Sequence, residues 1–216
     1  MRQVGLAVLA GLLAMATAGL SAWQATTSKP AAAAPAGQKP TAQAPGRGTA
    51  SAPAATEPKR SPGAGPLITV ETVKGSFTFE TYPNEAPKSV EHILALVKRR
   101  FYDGMRVHRQ IDGFIMQFGD PNSRDMSKKA LWGTGSSFNP VGVGEANPKR
   151  THVTGAVAMA YPGRDPRQAD SQLYVMLAPR HSLDGDYTVI GQVIAGMDVV
   201  RKLLVPDVIR RVTVKE

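Results

Sequence analysis

Apolar and polar residues alternate along residues 68–82, ITVETVKGSFTFETY, and the alternation breaks only at Lys74-Gly75. A period of two on both sides of a glycine-containing turn predicts a hairpin with one buried face. The period then changes. After Ala86-Pro87-Lys88, apolar side chains fall at Val90, Ile93, Leu94 and Val97, the i, i+3, i+4, i+7 spacing of a one-faced helix. Pro87 suits its first turn, where a missing N–H costs nothing. Lys98, Arg99 and Arg100 suit the negative end of the helix dipole and read as a solvated helix end. Short strands separated by glycine-rich turns are predicted at 106–111, 114–118, 153–159, 172–176 and 189–193. A second helix over about 197–204 ends before Pro206, and 208–214 alternates again as a last strand. Many short strands with two helices favour an all-β barrel or sandwich over a doubly wound sheet.

Ahead of the hairpin this pattern is absent. Arg2 precedes an almost unbroken apolar run from Val4 to Leu20, with small-residue pairs Ala16/Ala18 and Gly19/Ser21 that suit signal-peptidase cleavage. Residues 1–22 are therefore expected to be a signal peptide, or, uncleaved, an N-terminal membrane anchor, since the run is close to the ~20 residues that span a bilayer. Residues 23–66 collapse to Ala, Pro, Thr, Ser and Gly with scattered Lys and Arg. Such a composition builds no core and reads as a disordered, semi-stiff linker. The folded domain is expected over 67–216. Export places it in the periplasm, or on the cytoplasmic membrane if the anchor stays.

Composition narrows the chemistry. The formal charge of +9 is shared between the N-terminal segment and the domain, so nucleic acid is not an expected partner; an anionic envelope surface fits equally well. Zero cysteines exclude disulfides and thiol chemistry.

The densest candidate chemistry is FYDGMRVHRQIDGFIMQFGD, residues 101–120, which sets Arg109 among apolar side chains with Gln117 eight positions on. It holds no paired carboxylates, no serine with a base and no metal-ligand spacing. A reaction served by these residues needs only a fixed cation and an apolar pocket. Rotation about the bond before proline is one such reaction. Its barrier is amide resonance, roughly 18–20 kcal/mol. A pre-oriented, dry guanidinium aimed at the prolyl nitrogen bonds the lone pair that appears only on twisting.

The same block resembles the cyclophilin pattern FYDG-x-x-x-HR-x-I-x-GF-x-x-Q-x-GD. GAVAMAYPGRDPRQADSQLYVML (155–177) and LDGDYTVIGQVIAGMDVV (183–200) resemble two further blocks of that peptidyl-prolyl isomerase family, in the right order. The resemblance implies a closed eight-stranded antiparallel barrel capped by two helices, with peptide bound in a groove on its outside. It implies Arg109 as the catalytic arginine, with Gln117 as its holder or as a partner of the substrate carbonyl. It also implies Phe114, Ile115, Ala160, Gln172, Tyr174, Leu183 and Tyr187 as substrate-binding positions. The expected partners are proline-containing unfolded or flexible polypeptides, with no cofactor and no metal; a monomer is expected. Tyr161, Ser182 and Tyr187 depart from the asparagine, tryptophan and histidine common in the family, and alter the rim of the site rather than the arginine.

Plainer readings stand beside these. Arg109 could form an ordinary ion pair with Asp112 or Asp120. His108, His152 and His181 read as structural histidines, and His92 as an exposed helix residue. Gly133 to Ser137, GTGSS, lacks the Lys-Ser/Thr of a phosphate loop. Two other function classes compete with the isomerase: a binding module of the same fold, favoured by the altered rim, and a general holdase, which would need a large exposed apolar surface.

Overall fold

The computed structural model describes residues 60–215. The expectations for 1–22 and for most of 23–66 lie outside them, and among the described residues no helix is long and apolar enough to cross a membrane. The alternating segment forms β1 (Leu67–Thr72) and β2 (Gly75–Thr81), antiparallel from Leu67↔Glu80 to Thr72↔Gly75. Helix α1 (Pro87–Lys98) starts on Pro87 and buries Ser89, Val90, Ile93, Leu96 and Val97. Leu94, expected on the apolar face, is only partly buried, and Leu96 takes the deeper position. Then come β3 (Arg109–Ile111), β4 (Ile115–Phe118), β5 (Ala156–Met159), β6 (Leu173–Met176), β7 (Val189–Ala195), α2 (Met197–Lys202) and β8 (Ile209–Lys215).

These strands make one eight-stranded antiparallel sheet in the order β3-β4-β6-β5-β7-β2-β1-β8. The expected closed barrel is corrected: the ladder stops at β3 and β8, leaving a curled half-barrel. The strand expected over 106–111 explains why, because it divides its hydrogen bonds between two edges. His108 N–H donates to the Gln117 carbonyl at 3.2 Å, whereas Val107 N–H donates to the Asp207 carbonyl at 2.9 Å. An isolated bridge, Arg106↔Val208, spans the gap together with hydrogen bonds from Gly104 N–H to the Ile209 carbonyl (2.9 Å) and from Ile209 N–H to the Met105 carbonyl (2.7 Å), without extending the ladder.

The inner face of the sheet carries Val70, Phe77, Phe79, Met116, Phe118, Val157, Met159, Leu173, Val175 and Ile190. They pack with Val90, Ile93 and Leu96 of α1 and with Val200 beside Leu203 at the end of α2. Burying each large side chain contributes about 1.5–3 kcal/mol. Every residue of β4, β5 and β6 is buried, so these strands also cover an outer face. There Ile115, Ala156, Ala158, Tyr174, Met176 and Val189 join Tyr82 in a second apolar cluster.

The last residues ahead of β1 are fastened to the sheet. Gly65 N–H donates to the Thr81 carbonyl at 2.8 Å. Ser61 N–H donates to the carboxylate of Glu80 at 2.9 Å, and Tyr82 Oη donates to it at 3.3 Å. Glu80 is fully buried, so these donors replace the water it has lost.

Candidate functional site

One rung of the sheet runs Arg109↔Gln117, Gln117↔Tyr174, Tyr174↔Ala158 and Ala158↔Val189 across β3, β4, β6, β5 and β7. Directly paired residues point to the same side of a pleated sheet. The rung therefore brings Arg109 to the margin of the outer apolar cluster. Phe114, Ala160, Leu183 and Tyr187 pack against that cluster, so the sequence-predicted positions Phe114, Ile115, Ala160, Tyr174, Leu183 and Tyr187 gather in one outer apolar cluster.

A chain of side-chain amides leads away from the arginine. Arg109 Nη1 donates to Gln117 Oε1 at 3.3 Å, and Gln117 Nε2 donates to Gln172 Oε1 at 2.9 Å. Gln172 Nε2 donates in turn to the carbonyls of Gly133 and Gly135, at 3.0 and 2.8 Å. An amide whose oxygen is occupied must present its NH₂ onward, so the guanidinium at one end and the fixed backbone at the other set the direction of both glutamines. Behind them, the fully buried carboxylate of Asp120 accepts from the N–H groups of Asn122 (2.7 Å), Gly133 and Gly135 (3.2 Å). The GTGSS segment thus serves as a support for the glutamine chain. Position 135 must be glycine for this approach, since a Cβ there would meet Asp120 Oδ1 at 2.2 Å.

Two expectations about Arg109 change. Asp112 accepts from the Gly113 N–H at 3.0 Å and Asp120 is occupied as described, so neither forms the ordinary ion pair. The guanidinium is also not kept dry: Arg109 is exposed, at the edge of the apolar cluster rather than inside it. Among the described residues its strand is the last of the sheet, with no further strand beside it to cover the arginine.

The rim is aromatic and basic. Tyr161 and Tyr187 stack with centroids 4.7 Å apart, and Tyr187 meets Tyr174 edge-on at 5.9 Å. The Arg180 guanidinium lies 5.1 Å from the centre of the Phe114 ring, and Ser182 is exposed beside it. A neighbouring cleft of about 390 Å³ shares Ala160 with the outer apolar cluster and is lined further by Gln117, Gln172, Tyr161, Pro162 and Asp170.

The histidines divide differently from expectation. His92 is not exposed: its side chain is 10% accessible and its Nε2 lies 3.0 Å from Asp170 Oδ1. His152 is fully buried between Asp184 and Tyr174. Burial pushes His108 below its ordinary pKa, against the opposing pull of Asp120, and so favours a neutral ring beside Arg109. Burial also raises the Tyr174 hydroxyl far above its ordinary range. Desolvation alone would raise Asp184, but hydrogen bonds from His152 N–H and from the His152 and His181 rings bring it down to about 2. Among the described residues no group of His, Asp and Glu could hold a metal ion.

Asp120, Gly133, Gly135, His152 and Arg180 were not picked out by sequence as site residues. Asp120 closes the first family-like block, which was a usable signal; the others lie in loops, where no periodicity marks their direction.

A sequence model of the family described as cyclophilin type peptidyl-prolyl cis-trans isomerase/CLD matches residues 67–215. Peptidyl-prolyl cis-trans isomerase CYP18-2 of Arabidopsis thaliana is 35% identical over 144 residues, covering 67% of this chain and 84% of that protein. A probable peptidyl-prolyl cis-trans isomerase of Brucella abortus is 39% identical over 132 residues, covering 60% of this chain and 66% of that protein. A crystal structure of a Cryptosporidium parvum cyclophilin-type isomerase, obtained in the presence of the dipeptide Ala-Pro, superimposes with a TM-score of 0.61 at 22% identity. It covers 69% of this chain and 99% of that one.

Proposed function

This chain belongs to the cyclophilin-type peptidyl-prolyl cis-trans isomerase family and is an isomerase; from that premise we propose that Arg109 is its catalytic residue and that the outer apolar cluster forms its prolyl pocket. The observation that carries this reading is the amide chain Arg109–Gln117–Gln172, which holds a guanidinium at the margin of that cluster. A peptide laid across β4 and β6 covers Arg109 and strips its water, giving the cation the dry setting it lacks in the free chain. The guanidinium then donates to the prolyl nitrogen as that nitrogen pyramidalises. The apolar surroundings disfavour the charge-separated planar amide more than the twisted one.

Magnitude requires both effects. A 10⁴-fold acceleration takes roughly 5.4 kcal/mol, whereas a hydrogen bond from a charged donor contributes about 1.5–3 kcal/mol. Arg109→Ala is therefore expected to lower kcat/KM on a proline peptide by about 10- to 100-fold without abolishing it. Turnover by full-length protein and variant checks this; full activity in the variant would remove Arg109 from the mechanism.

The stacked Tyr161–Tyr187 rim favours a second reading, a module whose main task is to bind one partner. On that reading partner binding persists in Arg109→Ala while turnover falls. For the whole protein we propose export, with residues 1–22 as signal or anchor, action on flexible proline-containing polypeptides of the cell envelope, and a monomeric state. N-terminal sequencing of fractionated protein decides location. A start near residue 23 in the soluble envelope fraction, or an intact start in the membrane fraction, supports export; an intact start in the cytosol removes it.

A further inference from the structure

Tyr174 lies in the outer apolar cluster and is 4% exposed, so on the proposed reading it forms the floor of the prolyl pocket. A hydroxyl in an apolar floor must find a partner or draw in water. Its partner lies beneath the floor: the Tyr174 hydroxyl is 2.9 Å from His152 Nε2. His152 is fully buried, and its Nδ1 lies 2.8 Å from Asp184 Oδ1, which also accepts the His152 backbone N–H at 2.7 Å. A carboxylate on Nδ1 places the ring proton there and leaves Nε2 as an acceptor, so Tyr174 donates. The other Asp184 oxygen accepts from His181 Nδ1 at 2.8 Å, in the turn His181–Leu183 that packs Leu183 against the outer apolar cluster.

We propose that His152, oriented by Asp184, is a positioning residue for isomerisation: it draws the Tyr174 hydroxyl down and out of the prolyl pocket, so that a tyrosine presents only its ring to the substrate proline. The proposal rests on the isomerase reading above. Replacing His152 by leucine leaves the hydroxyl without an acceptor. The nearest alternative is water at the pocket mouth, which must then be displaced by each incoming proline. That cost falls equally on the ground state and the transition state, so it appears in KM and not in kcat. Removing both polar groups restores a floor with nothing left unpaired.

The test measures kcat, KM and thermal midpoint for full-length wild type, His152→Leu, Tyr174→Phe and the double variant on one proline peptide. His152→Leu is expected to raise KM about tenfold with kcat within about twofold of wild type. In the Tyr174→Phe background, where no hydroxyl has to be withdrawn, the same His152→Leu change is expected to move KM by less than about twofold relative to Tyr174→Phe alone, even where thermal midpoints fall. An unchanged KM in His152→Leu, or an equal rise in KM when that change is made in the Tyr174→Phe background, overturns the proposal. Should His152→Leu not fold, His152→Phe, a flat ring with no in-plane lone pair, takes its place with the same expectations. A wild-type chain without turnover defeats the isomerase reading instead; the same chains are then compared by peptide dissociation constant, with the same pattern expected.

Discussion

Gln172 lies at the centre of the site because its one amide answers to Gln117 on one side and to two glycine carbonyls on the other. His108 works by staying neutral. Among the described residues neither of its buried ring nitrogens makes a well-formed hydrogen bond, and burial lowers its pKa from the ordinary 6.5, outweighing Asp120 and the nearby Gln172 amide. The unfolded chain therefore binds a proton that the folded one resists. This contribution to stability is fully present above about pH 6.5 and is lost as pH falls through the depressed folded value. Thermal midpoints measured downward from about pH 7 should decline, and His108→Gln should flatten that decline. Asp184 acts in a separate window. Its value of about 2 against an ordinary 3.8 yields stability that is complete above 3.8 and lost only in stronger acid. At this scale the proximity of Arg109 and Gln117 was legible because they lie eight positions apart in one block. The His152–Tyr174 contact was not, since it joins residues 22 positions apart through a loop that carries no pattern.

Among the elements, β1 and β2 were legible because their alternation separates an inner face from a wetter outer one. β4, β5 and β6 are buried on both faces, which erases alternation and makes the outer cluster invisible to a period count. The expected start of the domain at residue 67 also left out the strip that covers Glu80. A chain beginning at 67 should be less stable than one beginning at 60 by about 1–3 kcal/mol, the cost of leaving a buried carboxylate short of a donor. Urea denaturation of the two chains checks this, and equal midpoints would show that water replaces Ser61 without loss. Glu80→Gln in the shorter chain should recover part of the deficit.

For the molecule as a whole, strand number, helix number and family were readable from local pattern and block order, but strand order was not. Pairings such as β2 with β7 and β1 with β8 join segments far apart in sequence, and only packing selects them. The open ladder between β3 and β8 was likewise unreadable, because hydropathy does not reveal that one extended segment serves two edges. What the fold does with its exterior follows from the position of Arg109 on a marginal strand, beside the outer apolar cluster. On the function proposed above, the site is a ledge and not a tunnel. A long polypeptide then rests on it anywhere along its length without threading an end, so a proline deep within a chain is as reachable as one near a terminus.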